Sequence, residues 1–411
     1  MPGKLAVLGG APVFPAKIPI GCPTMPPFNE LSGKIKEIIE NGNITNGKYV
    51  KEFEKRTAEV VGAKNAVALS SCTSGLMLVL KALGLTGEVI VPSFTFTATV
   101  HAIFWNGLQP VFVDCDEKTF NLDPAGIKSK ITKNTSAIMA VYIYGNPPAM
   151  AALEKIAKEN NLKLIFDAAH GLGAKYRGLA AGNFGDAEVF SLSPTKPITA
   201  GEGGLVLTGD DELAYKLRIG RDYGNPGNYD CEVVGLNARM EEFNAILGLR
   251  NLQNLEKNII SRNHLAGIYR SLLGQLPGIS FQTVEKEDRS SYKDFSILIN
   301  RAEFGLDRNI LAFCLDKENI STKKYFSPPV HQQKACRSVC GELAYKLPVT
   351  EKVSANILSL PIYAHLEEAV VRKICAAMAA LHDSRETIGN KMKSELFKNS
   401  VEREKVETFK N

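Results

Sequence analysis

The sequence lacks the features of a membrane-spanning or disulfide-rich secreted protein. No apolar run approaches the roughly 18 residues that cross a bilayer. The opening MPGKLAVLGGAPVFP has an apolar run too short, and too broken by glycine and proline, for a secretory signal. The eight cysteines are scattered without a CxxC pair, which is typical of reduced thiols. We therefore expect a cytoplasmic protein with no membrane partner.

The sequence also lacks a strong charge bias and a Walker-type nucleotide loop. A net charge of +5 over 411 residues is far from the pattern of a nucleic-acid-binding protein, and no Gly-Lys-Ser/Thr triplet occurs. His331, Cys336 and Cys340 come close together, but so few candidates favour a loop over a zinc site, so we expect no metal. A hydrophobic content of 45% allows a large core.

Strand-like and helical segments alternate between about residues 66 and 208. Candidate helices at 75–84, 97–107 and 149–160 separate short apolar runs. Those runs are AVALS, EVIVP, PVFVD, AIMAVY, LKLIF, EVFSL and GLVLT. This alternation predicts an α/β fold, with a mostly parallel sheet covered by helices on both faces.

The rest of the chain predicts a second domain. We expect a long periodic helical stretch over residues 238–276 to join the two domains. We place an N-terminal segment at 1–28, the large domain at 29–262, a smaller α+β C-terminal domain at 263–384 and a polar tail at 385–411. The tail is dense in charge, which is typical of a solvated helix or a disordered segment.

One lysine, Lys196, follows a strand-like run and precedes the glycine turn at residues 201–204. A lysine held between two buried strands is partly dehydrated, and burial disfavours its ammonium and lowers its pKa. Such an amine suits a Schiff-base lysine. Taken alone, a solvated surface lysine would be the commoner explanation.

Asp167 ends the candidate strand LKLIF and opens the segment DAAHG. In open α/β sheets, ligands bind beyond the carboxyl ends of the strands. A carboxylate there could keep the pyridine ring of pyridoxal phosphate (PLP) protonated, so that the ring accepts electrons. A turn residue or a helix cap at the strand end is the alternative.

A third motif, SSCTSG at residues 70–75, lies between a short strand and an apolar helix. Small hydroxyl residues at a helix N-terminus offer a phosphate their hydroxyls, free N–H groups and the positive end of the helix dipole. An ordinary Ser/Thr N-cap is the alternative for this motif on its own.

With these three motifs in order, the chain closely resembles the fold type I PLP-dependent nucleotide-sugar aminotransferases of the DegT/DnrJ family. The resemblance runs from about Ile44 to about Leu381. Its blocks include ITNGKYVKEFEKRTAEVVGAKNAVALSSCTSGL, EVIVPSFTFTATVHAI, FDAAHGLGAKYRG, FSLSPTKPITAGEGG, GLNARMEEFNAILGL and YFSPPVH. Agreement of all the blocks in order and spacing makes chance a poor explanation. The resemblance implies PLP as cofactor and transfer of an amino group from an amino-acid donor, expected to be glutamate, to a keto-sugar acceptor.

The resemblance also implies roles for individual residues. Lys196 would form the Schiff base with PLP, and Asp167 would pair with the pyridine nitrogen. The other cofactor contacts would be Thr73, Ser74 and Ser191 at the phosphate, Cys72 in the same loop, Phe96 stacked on the ring, His170 at the phenolic oxygen, and Asn237 at the phosphate of the neighbouring subunit. Asn237 would thus imply a homodimer with shared active sites. Tyr325 and His331 would lie near the acceptor.

Several of these residues depart from the family pattern or have a plainer explanation. Cys72 stands where a glycine is usual, and His170 stands where many relatives carry glutamine. Phe96 could be a core residue, and Asn237 could cap the helix that follows it. Tyr325 and His331 could instead pack the small domain.

The acceptor, the aminated carbon and the stereochemistry remain open at this stage. A free keto-sugar or a cyclitol could replace the nucleotide-linked sugar, because a fold does not fix a substrate. A sugar dehydratase and a non-catalytic PLP-binding regulator are further alternatives. Dehydratases of this kind resemble the family with histidine in place of the lysine, so Lys196 argues against that chemistry.

Overall fold

A computed structural model describes residues 4–341 and 345–392. Its α-helices are α1 Asn29–Asn41, α2 Lys48–Val61, α3 Cys72–Ala82, α4 Thr97–Trp105, α5 Pro124–Ile127, α6 Met150–Glu159, α7 Asp211–Gly220, α8 Glu242–Leu252, α9 Leu255–Leu273, α10 Arg301–Phe304, α11 Arg308–Lys317, α12 Lys334–Cys340, α13 Pro348–Asn356 and α14 Glu368–Asp383. Its strands are β1 Asn65–Leu69, β2 Glu88–Pro92, β3 Gln109–Val113, β4 Thr135–Val141, β5 Lys163–Asp167, β6 Lys175–Tyr176, β7 Leu179–Ala180, β8 Ala187–Ser191, β9 Gly204–Thr208, β10 Ile279–Phe281, β11 Phe295–Ile299 and β12 Ile357–Leu360. Short 3₁₀ turns lie at Ala6–Leu8, Lys128–Lys130, Ile143–Gly145 and Val330–Gln332.

A seven-stranded sheet organises the larger part of the molecule, with the order β1-β9-β8-β5-β4-β2-β3. Strand β9 runs antiparallel to its neighbours β1 and β8. The pairs β2–β3, β2–β4, β4–β5 and β5–β8 are parallel. Each run that the sequence predicts as a strand forms one of these seven strands, which confirms the predicted α/β fold with a mostly parallel sheet.

Both faces of this sheet are buried. Along β1, Ala66 and Ala68 belong to one apolar core, whereas Val67 and Leu69 belong to the other, because successive side chains of a strand point to opposite faces. Helices α2, α6 and α8 contribute to the first core, and α3, α4 and α7 contribute to the second. A ligand can therefore reach the sheet only at the ends of its strands, where loops replace the covering helices.

A smaller three-stranded antiparallel sheet, β10-β11-β12, has an apolar core of its own. Residues from α9, α11 and α14 join that core, and so do Leu5, Val7 and Phe14 of the N-terminal segment. The segment that we predicted as a polar tail begins as a helix over 385–392, in which Ile388 is fully buried against the same core. Residues 393–411 of that segment lie outside the described part of the chain.

The helical stretch predicted over 238–276 is two helices, α8 and α9. The backbone N–H of Asn254 donates to the carbonyl of Asn251, a tighter turn that separates them. The 19-residue α9 begins in the large-domain core and ends in the small-domain core, so the predicted boundary at residue 262 falls inside this helix. Within the described residues, neither α9 nor any other helix is long and apolar enough to span a membrane.

The two parts meet beyond the carboxyl ends of β2 and β4. A separate apolar cluster there combines Phe94, which follows β2, with Ile143 and Tyr144, which follow β4. Val353 of α13 and Ile357 of β12 pack against them from the smaller part. This contact brings loops of the smaller part over the strand ends of the large sheet.

Candidate active site

A cleft of about 340 Å³ opens beyond the carboxyl ends of β5 and β8. The larger part of the molecule lines it with Ser71, Cys72, Thr73, Leu76, Phe96, Ala98, Asp167, Ala169, His170, Ser191, Ser193, Thr195, Lys196, Glu202 and Gly203, and the smaller part with Lys293, Asp294, Tyr325 and Phe326. Most of the residues that the sequence predicts for a cofactor site therefore share one cleft. Its place at the strand ends is the usual one for ligands of α/β sheets.

Lys196 lies on the loop that joins β8 to β9, and two buried asparagines hold this loop. Asn251 of α8 donates its side-chain amide to the carbonyl of Thr199 at 2.7 Å. Asn258 of α9 donates to the carbonyl of Pro197, directly after the lysine, at 3.0 Å. Because both asparagines lie on long helices of the core, the backbone that carries Lys196 is fixed.

The surroundings of Lys196 lower the pKa of its amine. Burial lowers the pKa of this amine to about 8, and the positive charge of Lys293 acts in the same direction. The carboxylates of Asp294 and Asp167 oppose this shift of the Lys196 pKa. At pH 7 roughly a tenth of the amine is therefore unprotonated, far more than for an ordinary lysine, and a nucleophilic lysine requires the unprotonated form.

Asp167 presents a buried, hydrogen-bonded carboxylate at the end of β5. The Thr99 hydroxyl donates to Oδ2 at 2.6 Å, and the backbone N–H of Ala169 donates to Oδ1 at 3.1 Å. Burial raises the pKa of Asp167, while the bonds from Thr99 and Ala169 and the charge of Lys196 lower it. With its orientation fixed in this way, the carboxylate can accept one further hydrogen bond from a ligand that carries a proton.

The N-terminus of α3 forms another side of the cleft. Ser71 and Ser74 make a reciprocal capping box: the Ser71 hydroxyl accepts the Ser74 N–H at 3.1 Å, and the Ser74 hydroxyl accepts the Ser71 N–H at 3.2 Å. Cys72 and Thr73 line the cleft, and their own backbone N–H groups, in the first turn of α3, have no partner within the helix. Ser74, predicted as a phosphate ligand, instead turns its hydroxyl to Ser71 and is not among the lining residues.

Two glycines allow α3 to approach the sheet closely. A Cβ on Gly75 would lie 2.8 Å from Val189 Cγ1, and a Cβ on Gly204 would lie 2.4 Å from the carbonyl of Ser71. Cys72, where family members usually have glycine, is the first residue of α3 and has ordinary helical backbone. A side chain is tolerated there, and the Cys72 thiol donates to the carbonyl of Val189 at 3.6 Å.

Aromatic rings cover the mouth of the cleft. Phe96 is 57% exposed and lies 6.1 Å from the ring of Phe326. Phe326 stacks with both Tyr144 and His170, with ring centroids 6.3 and 6.4 Å apart. A large aromatic side chain left exposed beside a cleft can present its face to a planar ligand.

His170 contributes a neutral imidazole. Burial lowers its pKa well below the ordinary value, and the charges of Lys196 and Lys293 lower it further. The Ser291 hydroxyl donates to the His170 carbonyl and so ties its backbone to the smaller part of the molecule. Ser191 ends β8 at the same wall and donates its hydroxyl to that of Ser193 at 3.3 Å.

Sequence reasoning missed Lys293, Asp294, Glu202 and Phe326, which also line the cleft. Lys293 and Asp294 form a buried ion pair in which the ammonium donates to Oδ1 at 2.8 Å. The sequence signal that could have identified them is a pair of charged residues directly before the buried strand FSILI. Glu202 lies in the glycine turn, and a charged residue is so common in turns that nothing in the sequence was a reason to assign it to the site.

Besides Ser74, two predicted residues lie away from the cleft walls. His331 Nδ1 bonds the Ser93 hydroxyl at 2.6 Å, and its Nε2 lies 3.4 Å from a carboxylate oxygen of Glu351. Asn237 is exposed on the surface of the single chain. In the described part of the chain, no three His, Cys, Asp or Glu side chains gather as metal ligands.

Comparison with known proteins identifies the class to which this cleft belongs. The chain is a member of the DegT/DnrJ/EryC1/StrS aminotransferase family, whose model matches residues 29–379. It is 34% identical over 361 residues to dTDP-4-amino-4,6-dideoxy-D-glucose transaminase of Escherichia coli, covering 87% of this chain and 96% of that protein. It is 34% identical over 337 residues to GDP-perosamine synthase of Caulobacter vibrioides, covering 81% and 90%. The crystal structure of DesI in the presence of its TDP-sugar product superposes with a TM-score of 0.89 at 36% identity, covering 94% of this chain and 99% of DesI.

These similarities confirm three of the predictions made from the sequence. The fold is that of the fold type I sugar aminotransferases. The protein is an aminotransferase, as the family match and the relatives' names agree. Its cofactor is PLP, on which this family depends.

Proposed function

We propose that this protein transfers an amino group from an amino acid to a nucleotide-linked keto-sugar, in amino-sugar biosynthesis. One observation carries the proposal: the Lys196 amine, the Asp167 carboxylate and the N-terminus of α3 face the same cleft. The names of the Escherichia coli and Caulobacter relatives, which refer to dTDP- and GDP-linked amino sugars, support the class of acceptor.

The side chains of the cleft fit PLP, which when bound supplies an electron-accepting ring. Lys196 is the residue that would hold it as a Schiff base, and the buried Asp167 would bond the protonated ring nitrogen. Phe96 would cover the ring, and the neutral His170 would contact the phenolic oxygen. The phosphate would lie at the N-terminus of α3, against Thr73, Ser191 and the first-turn N–H groups, with Cys72 beside them and Ser74 acting through the cap.

Lys196 is the residue that would transfer the proton while its amine is not bound to PLP. With a pKa of about 8, its neutral amine can accept a proton from the carbon that bears the amino group, and its ammonium can then return one. The loop held by Asn251 and Asn258 keeps this amine in place. The entropic cost of positioning a base is therefore largely met when the protein folds, before the substrate binds. The same residue serves both halves of the reaction, run in opposite directions.

The acceptor would enter past the aromatic mouth of the cleft. Tyr325 lines the wall that the smaller part provides, and in this proposal it would contact the sugar. His331 would act indirectly, since its imidazole bonds Ser93, the residue after β2.

The proposal includes a homodimer in which Asn237 completes the site of the neighbouring subunit. Close to Asn237 in the sequence, the large side chains of Tyr223, Tyr229 and Val234 are also exposed. Apolar side chains grouped on one exposed surface suit contact with a second protein surface. In a two-fold dimer the same surface would serve both subunits.

The test is a screen of acceptors. Protein loaded with PLP is first converted with glutamate, which removes its visible absorbance, and is then mixed with nucleotide-linked keto-sugars, the same sugars without the nucleotide, and keto-cyclitols. We expect absorbance to return fastest with a nucleotide-linked sugar and not at all with the Lys196→Ala variant. Return with only free sugars or cyclitols would refute the proposed acceptor class.

A further inference from the structure

Lys293 is the one cation other than Lys196 among the described residues that line the cleft. It enters from the smaller part of the molecule, two residues before β11, and its side chain is 8% exposed. Burying an ammonium is costly unless it is paired, so its presence on this wall needs an explanation. Lys196 itself is committed to the cofactor in the proposed function, which leaves Lys293 to receive an anion.

Asp294 holds Lys293 in place without using all of its donors. The ammonium donates to Asp294 Oδ1 at 2.8 Å and lies 5.2 Å from the centre of the Tyr325 ring. An ammonium has three N–H donors, and Asp294 is the only hydrogen-bond partner that the described residues give it. The second Asp294 oxygen, Oδ2, is buried without a hydrogen-bond partner, 4.0 Å from His170 Nδ1. This pair therefore presents an incompletely satisfied cation to the cleft.

A purely structural ion pair is the competing explanation. Buried pairs of this kind contribute little net stability compared with apolar residues of the same size. The Lys293 charge, however, acts electrostatically on groups of the proposed reaction site, because it lowers the pKa of both Lys196 and His170. Its position is thus close to the atoms at which a donor must bind.

An amino-acid donor carries a carboxylate on the same carbon as the amino group that it gives up. The cleft already contains the carboxylates of Asp167, Glu202 and Asp294, so a further carboxylate needs a cation beside it. We infer that Lys293 binds the α-carboxylate of the amino-acid donor and that Asp294 positions Lys293 to do so. This inference rests on the proposed function and adds to it the group that selects amino acids over simple amines.

The test separates the two half-reactions in single-turnover measurements on PLP-loaded protein. With Lys293→Met, we expect the glutamate concentration at half-maximal rate to rise about 10- to 100-fold, as for loss of a charged hydrogen bond, with a much smaller change in the rate at saturation. Lys293→Arg should restore most of the affinity. The half-reaction with the keto-sugar should keep its wild-type concentration dependence.

A double variant distinguishes binding from structure. Lys293→Met alone leaves the Asp294 carboxylate buried and unpaired, which destabilises the fold; Lys293→Met with Asp294→Asn removes both charges. We expect this double variant to fold and still to bind glutamate weakly. Wild-type affinity in the double variant would overturn the inference, and so would a rise confined to the keto-sugar half-reaction, which would assign Lys293 to the sugar nucleotide.

A binding measurement keeps the inference apart from the proposed function. 2-Aminoisobutyrate has an α-carboxylate but no α-hydrogen, and tert-butylamine carries a methyl group in place of that carboxylate. Titration of the loaded protein, followed by absorbance, should show weaker 2-aminoisobutyrate binding in both Lys293→Met variants and unchanged tert-butylamine binding. Equal weakening for both ligands would overturn the carboxylate assignment. Failure of the wild type to react with glutamate or with any other amino acid would refute the proposed function, while this titration would still decide the role of Lys293.

Discussion

Glu188 provides a quantitative test of the strand that carries the site. It lies in β8, three residues before Ser191, and its side chain is fully buried. Its carboxyl group accepts hydrogen bonds from the Tyr142 hydroxyl at 2.6 Å and from the backbone N–H groups of Gly182 and Phe184 at 2.6 and 2.8 Å. Burial nevertheless raises its pKa from 4.5 to about 7, with these hydrogen bonds acting against the shift.

The sign and size of the effect follow from these pKa values. Between pH 4.5 and about 7, Glu188 is ionised in the unfolded chain but protonated in the folded protein. The stability that its protonated form contributes is therefore complete below pH 4.5 and is lost as the pH rises to about 7. One pKa unit corresponds to about 1.4 kcal/mol, so the loss is roughly 3 kcal/mol.

Glu188→Gln removes this titration while keeping the size of the side chain. We expect the variant to gain roughly 3 kcal/mol of unfolding free energy relative to the wild type on going from pH 4.5 to pH 8, measured by urea denaturation of both proteins. Comparing differences between the two pH values cancels changes in hydrogen bonding that do not depend on pH. Glu52→Gln, at an exposed position of α2, is the matched control and should show no such gain. An equal pH dependence of the wild type and Glu188→Gln would refute the reasoning.

Three further predictions concern the site. Asp167→Asn should retain PLP but lose most of the single-turnover reaction with glutamate, because an amide cannot hold the proton on the ring nitrogen; near-normal turnover would exclude Asp167 from that role. Incorporation of PLP into the cofactor-free protein should accelerate as the pH rises through about 8, because the Lys196 amine loses its proton. A rate of incorporation that does not change over this pH range would contradict the lowered pKa. Lys196→Ala and Asn237→Ala should each be impaired alone, and mixing them should restore activity to roughly a quarter of wild type through heterodimers with one intact site. Averaged activity after confirmed subunit exchange would place Asn237 outside the site.

Local patterns in the sequence were sufficient to predict the sheet and its functional edge. Short apolar runs bounded by turns predicted the seven strands, and the strand LKLIF placed Asp167 at a carboxyl end. The same reasoning placed Lys196 on a loop between two buried strands. These features depend on residues close together in the chain, which is why they could be predicted without tertiary contacts.

The rest of the cleft depends on contacts between distant segments. Lys293 and Asp294 come nearly a hundred residues after Lys196 and reach it only because the smaller part packs over the strand ends. His331 was predicted near the acceptor, but the imidazole bonds Ser93 behind the wall. For Ser74, by contrast, the Ser-x-x-Ser spacing already allowed the capping box that engages its hydroxyl.

The most direct test of the central claim is chemical trapping of the cofactor on the protein. PLP-loaded protein is reduced with borohydride, digested, and mapped by mass spectrometry for the lysine that carries the label. We expect the label on Lys196. Label on Lys293, the other lysine of the cleft, or no labelled lysine in a protein that retains bound PLP, would contradict it.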